Sequence, residues 1–302
     1  NEWQFVAFVY DGAHTYCYVN SGVVTMDATG AIANSGQDFY IGSNRSGMNF
    51  DGAIDEVRAY NRALTAGEIA LLRASRTIVN ASKNARAATG LTGLWSFDGP
   101  DISWTGTSTG MAIDTRIASS THDGTLAGMT RDASPTVGKI GQALKFDGAT
   151  SCVTTPLSLD GLNSFTIAGW VNSPDNAHSG LFGQNDVVEF GFASGGLEGW
   201  TQGGGTVHKD LSDPNAMRTN KWHHVAFVGS KTGQSVYIDG QVAASSTGAV
   251  SDYGTSAYNF NIGGCGIWSP SGDNFNGKID DVRTYDRNLS AAEINALFNA
   301  GK

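Results

Sequence analysis

One 23-residue stretch occurs twice in this chain, and the repeat determines how the rest of the sequence is divided. Residues 50–72 read FDGAIDEVRAYNRALTAGEIALL and residues 275–297 read FNGKIDDVRTYDRNLSAAEINAL, with 13 of 23 positions identical. The opening segment NEWQFVAFVY also matches NKWHHVAFVG at residues 220–229. Such a repeat indicates two copies of one structural unit.

The residues around the repeat are typical of an all-β protein. The 302 residues include 40 glycines but only 16% charged side chains, a composition that suits short strands joined by tight turns. Segments such as SFTIAGWV and VVEFGF recur at the spacing of a sandwich. We therefore expect a tandem antiparallel β-sandwich, or jelly roll, with a short C-terminal helix.

The last third of each copy of the repeat contains a sequence pattern that is typical of the first turn of a helix. Thr65 is followed three residues later by Glu68, and Ser290 by Glu293, before an apolar pattern in both cases. This spacing predicts a capping box, in which the hydroxyl and the glutamate each satisfy one free backbone amide. A short helix is therefore predicted to close each domain.

The two copies differ in length. Residues 1–75 correspond to the C-terminal part of a sandwich, residues 76–90 form a polar, alanine-rich linker, and residues 91–302 form a complete sandwich, with a long loop expected over 100–135. Asn1 matches Asn220, so residues 91–219 have no counterpart in the first copy. We expect a longer protein, an unidentified upstream part, or a neighbouring chain that completes the first sandwich.

A set of motifs in fixed order gives the second copy a family resemblance. GLWSFD, GQALKFDG, SFTIAGWV, NKWHHVAFV, VYIDG, FNIGG and GKIDDVRTYDRNLSAAEI follow one another. In this order the chain resembles the laminin-G-like jelly-roll domain of the concanavalin A-like lectin and glucanase superfamily. The resemblance implies two sheets packed face to face, one concave, with ligand or calcium sites on rim loops or on the concave face.

Calcium is the cofactor that the resemblance implies, in a structural role. Calcium takes oxygen ligands, and we predict Asp98 and Asp280, with Asp147 as a weaker third, because the first and last strands of this fold run close together. Asp55 occupies the matching place in the first copy. The alternative is that Asp280 accepts backbone amide hydrogen bonds or pairs with an arginine.

Simple strand alternation makes a further prediction about the acids of the repeat. Between Ile279 and Tyr285, alternation puts Asp280 on the face of Val282, and Asp281 on the face of Arg283.

Aromatic residues outside the core pattern are the expected ligand-binding side chains. Trp200 and Trp268 occur in glycine-rich segments that we interpret as loops, and Tyr253 and Tyr258 could join them. The alternative is that each ring closes an end of the sandwich. The predicted core tryptophans are Trp3, Trp95, Trp170 and Trp222.

Catalysis is not expected. Glycoside hydrolases need two carboxyl groups across the scissile bond, and no E-x-D-x-x-E strand occurs here. Asp186 and Glu189 are three residues apart, which predicts opposite faces of a strand. His223 and His224 are interpreted as part of a core strand with one histidine facing outward.

Charge and cysteine content exclude other classes. A net charge of −9 with 19 Lys and Arg disfavours a nucleic-acid partner, and no apolar run is long enough for a transmembrane segment. Cys17, Cys152 and Cys265 have no zinc spacing. Cys152 and Cys265 could form a disulfide, but we prefer two buried thiols.

These observations lead to two hypotheses about function. The first is a non-catalytic recognition or adhesion module, extracellular or at the cell surface, that binds carbohydrate or a surface protein as part of a larger multidomain protein. The second is a structural building block of a surface filament, coat or virion decoration. The order of preference follows from the family resemblance and the missing catalytic acids.

Overall fold

The computed structural model divides the chain into two compact units, Asn1–Ala74 and Ser75–Lys302. Most of the predicted linker lies outside the described residues. The structure describes residues 4–32, 36, 39–43, 49–52, 54, 57–70, 72–73, 89–116, 122–269 and 272–301.

Unit 1 contains a small antiparallel sheet and a helix. Strands β1 (Val6–Tyr10), β2 (His14–Val19) and β3 (Gly22–Asp27) pair in sequence order, and residues 66–70 are helical. The Thr65 amide donates to Glu68 Oε2 at 2.7 Å, and the Glu68 amide donates to Thr65 Oγ1 at 3.3 Å. The predicted capping box of the first copy is therefore confirmed.

The sheet of unit 1 is buried on one face only. Val9 packs with residues of the helical segment and is 7% exposed, whereas Phe8 is 67% exposed. At the equivalent position of the second copy, Phe227 is completely buried. The strand face that forms the sandwich core in unit 2 is thus open to solvent in unit 1.

Unit 2 is a sandwich of two antiparallel sheets, with nine and eight strands. The predicted all-β sandwich class is confirmed. In spatial order the nine-stranded sheet is β15 (Gly205–Asp210), β14 (Gly196–Thr201), β13 (Val188–Ala193), β12 (Ser179–Gln184), β19 (Phe260–Ile262), β10 (Cys152–Thr154), β7 (Gly124–Ala127), β6 (Gly110–Ala112) and β5 (Ile102–Trp104). The other is β18 (Gln241–Thr247), β17 (Gly233–Ile238), β16 (Trp222–Ser230), β11 (Phe165–Asn172), β20 (Asn276–Tyr285), β9 (Gln142–Asp147) and β8 (Pro135–Val137), with β4 (Leu91–Trp95) also on β20.

Aromatic side chains fill the space between the two sheets. Phe190 of β13 stacks on Phe227 of β16 with ring centroids 5.6 Å apart, and Phe165 of β11 meets Phe227 edge to face. Trp95 of β4 stacks on Phe260 of β19, also at 5.6 Å. The Phe190–Phe227 and Trp95–Phe260 pairs join opposite sheets, whereas Phe165 and Phe227 lie on neighbouring strands of one sheet, so inward-facing residues of both sheets build one continuous core.

The C-terminal helix, Ala291–Ala300, covers the outer face of the eight-stranded sheet. Ser290 and Glu293 form the predicted capping box, and Ile294 and Leu297 pack against a cluster that includes Tyr285. The part of the eight-stranded sheet beneath the helix is therefore covered on both faces. This arrangement leaves the outer face of the nine-stranded sheet as the open face of the sandwich.

The predicted long loop over residues 100–135 is wrong. The segment contains a 3₁₀ turn, Gly99–Asp101, and then β5, β6 and β7, and β8 begins at its end. These strands have only three or four residues each, too few for an alternating pattern to stand out from the surrounding Ser, Thr and Gly. They extend one edge of the nine-stranded sheet.

The preferred interpretation of two buried thiols is also wrong. Cys152 of β10 and Cys265, in the loop after β19, form a disulfide with Cα atoms 5.8 Å apart. Residues 113 positions apart in sequence meet because β10 and β19 are neighbours in the sheet. Cys17 in unit 1 is a free, half-buried cysteine.

Candidate functional site

The open face of the nine-stranded sheet presents a row of side chains that crosses seven strands. Strand register places Thr125, Thr154 and Asn261 next to one another on β7, β10 and β19. The same row continues through Gly183 on β12, Glu189 on β13, Trp200 on β14 and Thr206 on β15. Paired residues of antiparallel strands point to the same face, so these groups share the outer surface.

An open cavity of about 540 Å³ lies at one end of this row, beside Tyr258. Tyr258 is 38% exposed and follows the predicted pattern of an accessible aromatic ring. The cavity is lined by Asp123, Thr125, Thr154, Thr155, Pro156, Ala257, Tyr258, Asn259 and Asn261.

The polar groups of the cavity are held in place by the fold. Asn261 donates from Nδ2 to the Cys265 carbonyl at 2.8 Å, which leaves its Oδ1 as the acceptor of that side chain. Asp123 accepts from the Asp114 amide at 2.9 Å. The cavity therefore combines fixed carboxylate, amide and hydroxyl groups with one phenol ring, a mixture that can bind a polar ligand with an apolar face.

The loop over residues 263–269 forms a ridge beside the cavity. Its residue Ile267 is completely buried and lies against β12. A Cβ atom at Gly180 would come within 2.7 Å of Ile267, so only glycine leaves room for this packing. The Cys152–Cys265 disulfide fastens the same loop to β10, which makes the ridge a fixed wall.

Of the two predicted ligand-binding tryptophans, Trp200 lies beyond this ridge and Trp268 belongs to the ridge loop itself. Trp200 is half-buried and belongs to strand β14, so its assignment to a loop is wrong: the glycines around it are strand residues. Trp268 does lie in a loop, where Nε1 donates to the Ser179 carbonyl at 3.3 Å and the ring meets His178 edge to face. Glu189, directly opposite Trp200, lies on the same outer face.

Burial raises the pKa of Glu189 to about 7, and the nearby carboxyl groups of Asp186, Asp273 and Glu198 act in the same direction. The Asp186 amide donates to Glu189 Oε1 at 2.9 Å and partly opposes this effect. Asp186 lies in the turn before β13 with a φ of 62°, so the prediction that it faces the opposite side of a strand does not apply.

Tyr253 is not available to a ligand. Its side chain is completely buried in the sandwich core, and its hydroxyl donates to the Ser230 carbonyl at 2.6 Å. Burial raises the pKa of Tyr253 to about 12. The predicted role in ligand binding is therefore wrong, and the alternative that the ring closes the sandwich is correct for this residue.

The described core tryptophans are Trp95 and Trp170, both buried as predicted. Trp222 is half-buried, and Trp3 lies outside the described residues.

A β-bulge changes the side on which Asp280 lies. The β11–β20 register shifts between Ala168 and Trp170, and Asp281 has a φ of 48°. The predicted alternation is therefore wrong: Val282 points into the core, while Asp280 lies opposite Trp170. Asp280 Oδ2 accepts from the Lys139 and Ile140 amides at 2.7 and 2.8 Å, which is the alternative role stated above.

The three predicted calcium ligands bind backbone amides. Asp98 Oδ1 accepts from the Gln142 amide at 2.8 Å, and Asp147 accepts from three amides of its own turn. Asp280 Oδ1 is buried without a hydrogen-bond partner among the described residues. Asp55 lies outside the described residues.

Within the described part of the chain, no three His, Cys, Asp or Glu side chains are grouped as a metal site. Calcium stays a prediction.

The adjacent histidines lie away from the open face. His224 is buried on β16 against Trp170, and burial lowers its pKa to about 4. His223 Nδ1 lies 2.8 Å from Asp239 Oδ2, and its other ring nitrogen lies 3.1 Å from the Arg218 carbonyl. Both residues belong to the eight-stranded sheet and neither lines the cavity.

Comparison with known families agrees with this architecture. A laminin-G family profile, described as the concanavalin A-like lectin/glucanases superfamily, matches residues 1–70 and 147–295. The chain belongs to this superfamily. Each segment of the match covers the first 21 residues of one copy of the 23-residue repeat, so the laminin-G signature occurs in each unit.

Solved structures of other proteins are similar to this chain. Domain 4 of AbnA, an extracellular GH43 arabinanase from Geobacillus stearothermophilus, in complex with arabinotriose, has a TM-score of 0.50 and 24% identity, over 68% of this chain and 97% of that domain. The receptor-binding domain of a botulinum neurotoxin C/D mosaic serotype has a TM-score of 0.50 and 14% identity, over 70% of this chain and 51% of that chain. A Bacteroides ovatus protein described as carbohydrate-binding has a TM-score of 0.43 and 20% identity, over 51% of this chain and 46% of that chain.

These likenesses concern the fold. The laminin-G chain spans nearly all of the arabinanase domain and about half of each of the other two structures. No curated protein sequence matches the chain. Among its described residues, none of the helices has the length and apolar character needed to cross a bilayer.

Proposed function

We propose that this chain is a non-catalytic carbohydrate-binding module of an extracellular or cell-surface protein, and that it binds a neutral oligosaccharide in the cavity beside Tyr258. The observation that carries the proposal is the cavity itself. An exposed aromatic ring stands there among carboxylate, amide and hydroxyl groups on the open face of a lectin-like sandwich. A surface protein remains the other partner class considered.

The lining suits the two kinds of surface that a sugar presents. Sugar hydroxyls both donate and accept hydrogen bonds, and Asp123, Asn261 and Thr154 supply acceptors and donors within one concave surface. The apolar C–H face of a sugar ring can lie on the exposed Tyr258 ring. A few fixed polar groups around an apolar contact are typical of a specific small-ligand site.

The charge of the open face favours a neutral ligand over an anionic one. Neither Lys nor Arg occurs in the described row from Thr125 to Thr206 or in the neighbouring row that contains Glu198 and His208. Asp123, Glu189 and Glu198 are acidic, and the whole chain has a net charge of −9. A uronate or sialylated chain would bring like charge to this face, which opposes binding.

Two further points support a binding role over hydrolysis. The cavity contains a single carboxyl side chain, Asp123, whereas glycoside hydrolysis uses a pair. The arabinanase domain that shares this fold was solved with arabinotriose, and it is one domain of an extracellular enzyme. We extend both the sugar ligand and the extracellular setting to this chain by analogy.

A glycan array tests the proposal. The full chain is applied to neutral and anionic oligosaccharides beside two variants, Tyr258→Ala and Val242→Ala, the latter a control at an exposed position of the opposite sheet. We expect binding to neutral glycans that falls about tenfold in Tyr258→Ala and is unchanged in Val242→Ala. Absence of glycan binding, or equal binding by all three proteins, would contradict the proposal.

A second role, as a building block of a surface assembly, is favoured by unit 1. Phe8 and Val6 are 67% and 69% exposed on a sheet face whose equivalents Phe227 and Val225 are fully buried. Exposed apolar faces of this kind mark contact surfaces. Native mass measurement of wild type and Phe8→Ser tests it: assembly that Phe8→Ser weakens supports this role, and a single-chain mass for wild type contradicts it.

A further inference from the structure

A second group of aromatic and acidic side chains lies on the open face, across the ridge from the Tyr258 cavity. Trp200 lies on the outer face of β14, and Trp268 lies in the loop 263–269 and is hydrogen-bonded to Ser179 at the start of β12. Glu189 lies directly opposite Trp200 on β13, next to the strand that the loop covers. We name the surface formed by Trp200, Trp268, Glu189 and Glu198 the tryptophan corner.

The strand register fixes the side chains of the tryptophan corner that lie on β14. Glu198 lies two residues from Trp200 on the same face of β14, and its Oε2 is 3.1 Å from His208 Nδ1 on β15. The His208 ring lies over Gly196, where a Cβ atom would come within 2.5 Å of the ring. Glycine at 196 thus allows the histidine to hold the Glu198 carboxylate beside the tryptophan.

Hydrogen bonding and ring packing also fix Trp268, the other indole of the tryptophan corner. Trp268 Nε1 donates to the Ser179 carbonyl at 3.3 Å, and the His178 ring packs edge to face on Trp268. His178 Nε2 lies 3.5 Å from Asp273 Oδ1, and the Asp273 carboxylate is near enough to Glu189 to raise the pKa of that group. The His178 ring therefore contacts both the Trp268 indole and the Asp273 carboxylate.

The structure assigns the tryptophan corner as a second subsite for a neutral sugar, distinct from the Tyr258 cavity. This inference rests on the proposed function of the chain and adds a second point of contact. Two half-buried indoles offer apolar faces to a sugar ring, and the half-buried Glu198 carboxylate can accept hydrogen bonds from its hydroxyls. The Glu198 and Asp273 carboxylates disfavour an anionic sugar, because neither Lys nor Arg occurs in the described outward rows to offset them.

The two subsites can act on one polysaccharide. Trp200 and Thr154 are separated by four strand spacings in the same row, or about 19 Å at about 4.8 Å per strand. The ridge at Ile267 stands between them. Each subsite therefore takes its own part of a chain, and a polymer that reaches both binds more tightly than a trisaccharide through the higher effective concentration.

Fluorine NMR on the full chain tests the second subsite separately from the first. The seven tryptophans are labelled with 5-fluorotryptophan, Trp200→Phe and Trp268→Phe assign the two resonances, and arabinotriose, cellotriose and chitotriose are titrated. Trp170, buried beneath the C-terminal helix, is the internal control whose resonance stays constant. We expect the Trp200 and Trp268 resonances to shift with sugar, in wild type and equally in Tyr258→Ala.

A milder variant keeps the test independent of the tryptophan substitutions. Glu198→Gln retains the shape of the side chain. It should weaken the sugar affinity, measured from the shift of the Trp200 resonance during titration, by about tenfold or more. Sugar binding that depends on Tyr258 but leaves both resonances unshifted would overturn the second subsite and leave the proposed function intact. Absence of binding to any of the three sugars would overturn both.

Discussion

Asp281 and Arg283 form a doubly hydrogen-bonded ion pair on β20, within the repeated stretch. Arg283 Nε donates to Asp281 Oδ2 at 3.1 Å and Nη2 donates to Oδ1 at 3.0 Å. The side chains are almost buried, and the bulge at Asp281 gives this pair its geometry. Burial alone would lower the pKa of Arg283, but the Asp281 carboxylate outweighs it and raises that pKa.

Removing one member of this pair should be costly. Asp281→Ala leaves a buried guanidinium without its carboxylate, and we expect a loss of about 3–5 kcal/mol in the free energy of unfolding. Urea denaturation followed by tryptophan fluorescence measures it. Arg218→Ala, at an exposed arginine, serves as control and should change stability by less than about 0.5 kcal/mol. A similar small loss for both variants would contradict the importance of the pair.

Glu189 should make stability depend on pH. Its pKa in the folded chain is raised from 4.5 to about 7, so the folded state holds the proton more tightly than the unfolded state. Stability is therefore greatest below pH 4.5, falls as the pH rises from 4.5 to about 7, and then stays level with respect to this group. Glu189→Gln should be more stable than wild type by about 1–3 kcal/mol at pH 8.

Denaturation of both proteins at pH 5 and pH 8 checks the sign. We expect the difference between Glu189→Gln and wild type to be larger at pH 8, with Asp132→Asn, an exposed acid, as control. A larger difference at pH 5 would show that the carboxyl group is stabilised as the anion.

The Cys152–Cys265 disulfide should stabilise unit 2 and support the cavity. Because the bond closes a loop with a separation of 113 residues, chain entropy gives an upper value of about 4–5 kcal/mol. Cys152→Ala/Cys265→Ala should lower the melting temperature and weaken sugar binding, since Asn261 is oriented by the Cys265 carbonyl. Cys17→Ala, at the free cysteine, is the matched control. Equal melting temperatures for the two variants would argue against a formed disulfide.

Asp280 offers a direct test of the calcium prediction. Burial raises the pKa of this carboxyl group well above its ordinary value, and Oδ1 is the buried atom without a partner. Asp280→Asn keeps an acceptor for the Lys139 and Ile140 amides but cannot replace an anionic calcium ligand. If calcium binds there, it raises the melting temperature of wild type and not of Asp280→Asn.

We expect that difference in calorimetry with calcium against EDTA. An equal response of the two proteins to calcium would contradict a site at Asp280, and would leave Asp280 as an acceptor of backbone amides alone.

The local signals of the sequence predict the fold well. The capping boxes at Thr65 and Ser290 involve residues three apart, so their geometry follows from the helix alone. The sandwich class follows from motif order and strand spacing, which do not depend on the exact ends of each strand. The short strands β5 to β7 were not predicted, because three or four residues are too few to show an alternating pattern.

The candidate site was harder to predict because it depends on tertiary packing. Tyr253 and Tyr258 have similar polar, small neighbours in sequence, yet the first is buried against Phe165 and the second is exposed at the cavity. The bulge at Asp281 reverses the side of Asp280, and a bulge is a property of paired strands. Asp123 and Asn261 become neighbours only through the order of β7, β10 and β19.

The location of a bound sugar tests the central claim most directly. A crystal structure of the full chain with arabinotriose should show the sugar on the open face of the nine-stranded sheet, with one ring against Tyr258 and hydroxyls within hydrogen-bond distance of Asp123 or Asn261. Sugar bound only on the eight-stranded sheet, or at a site remote from Tyr258 and from the tryptophan corner, would contradict the account.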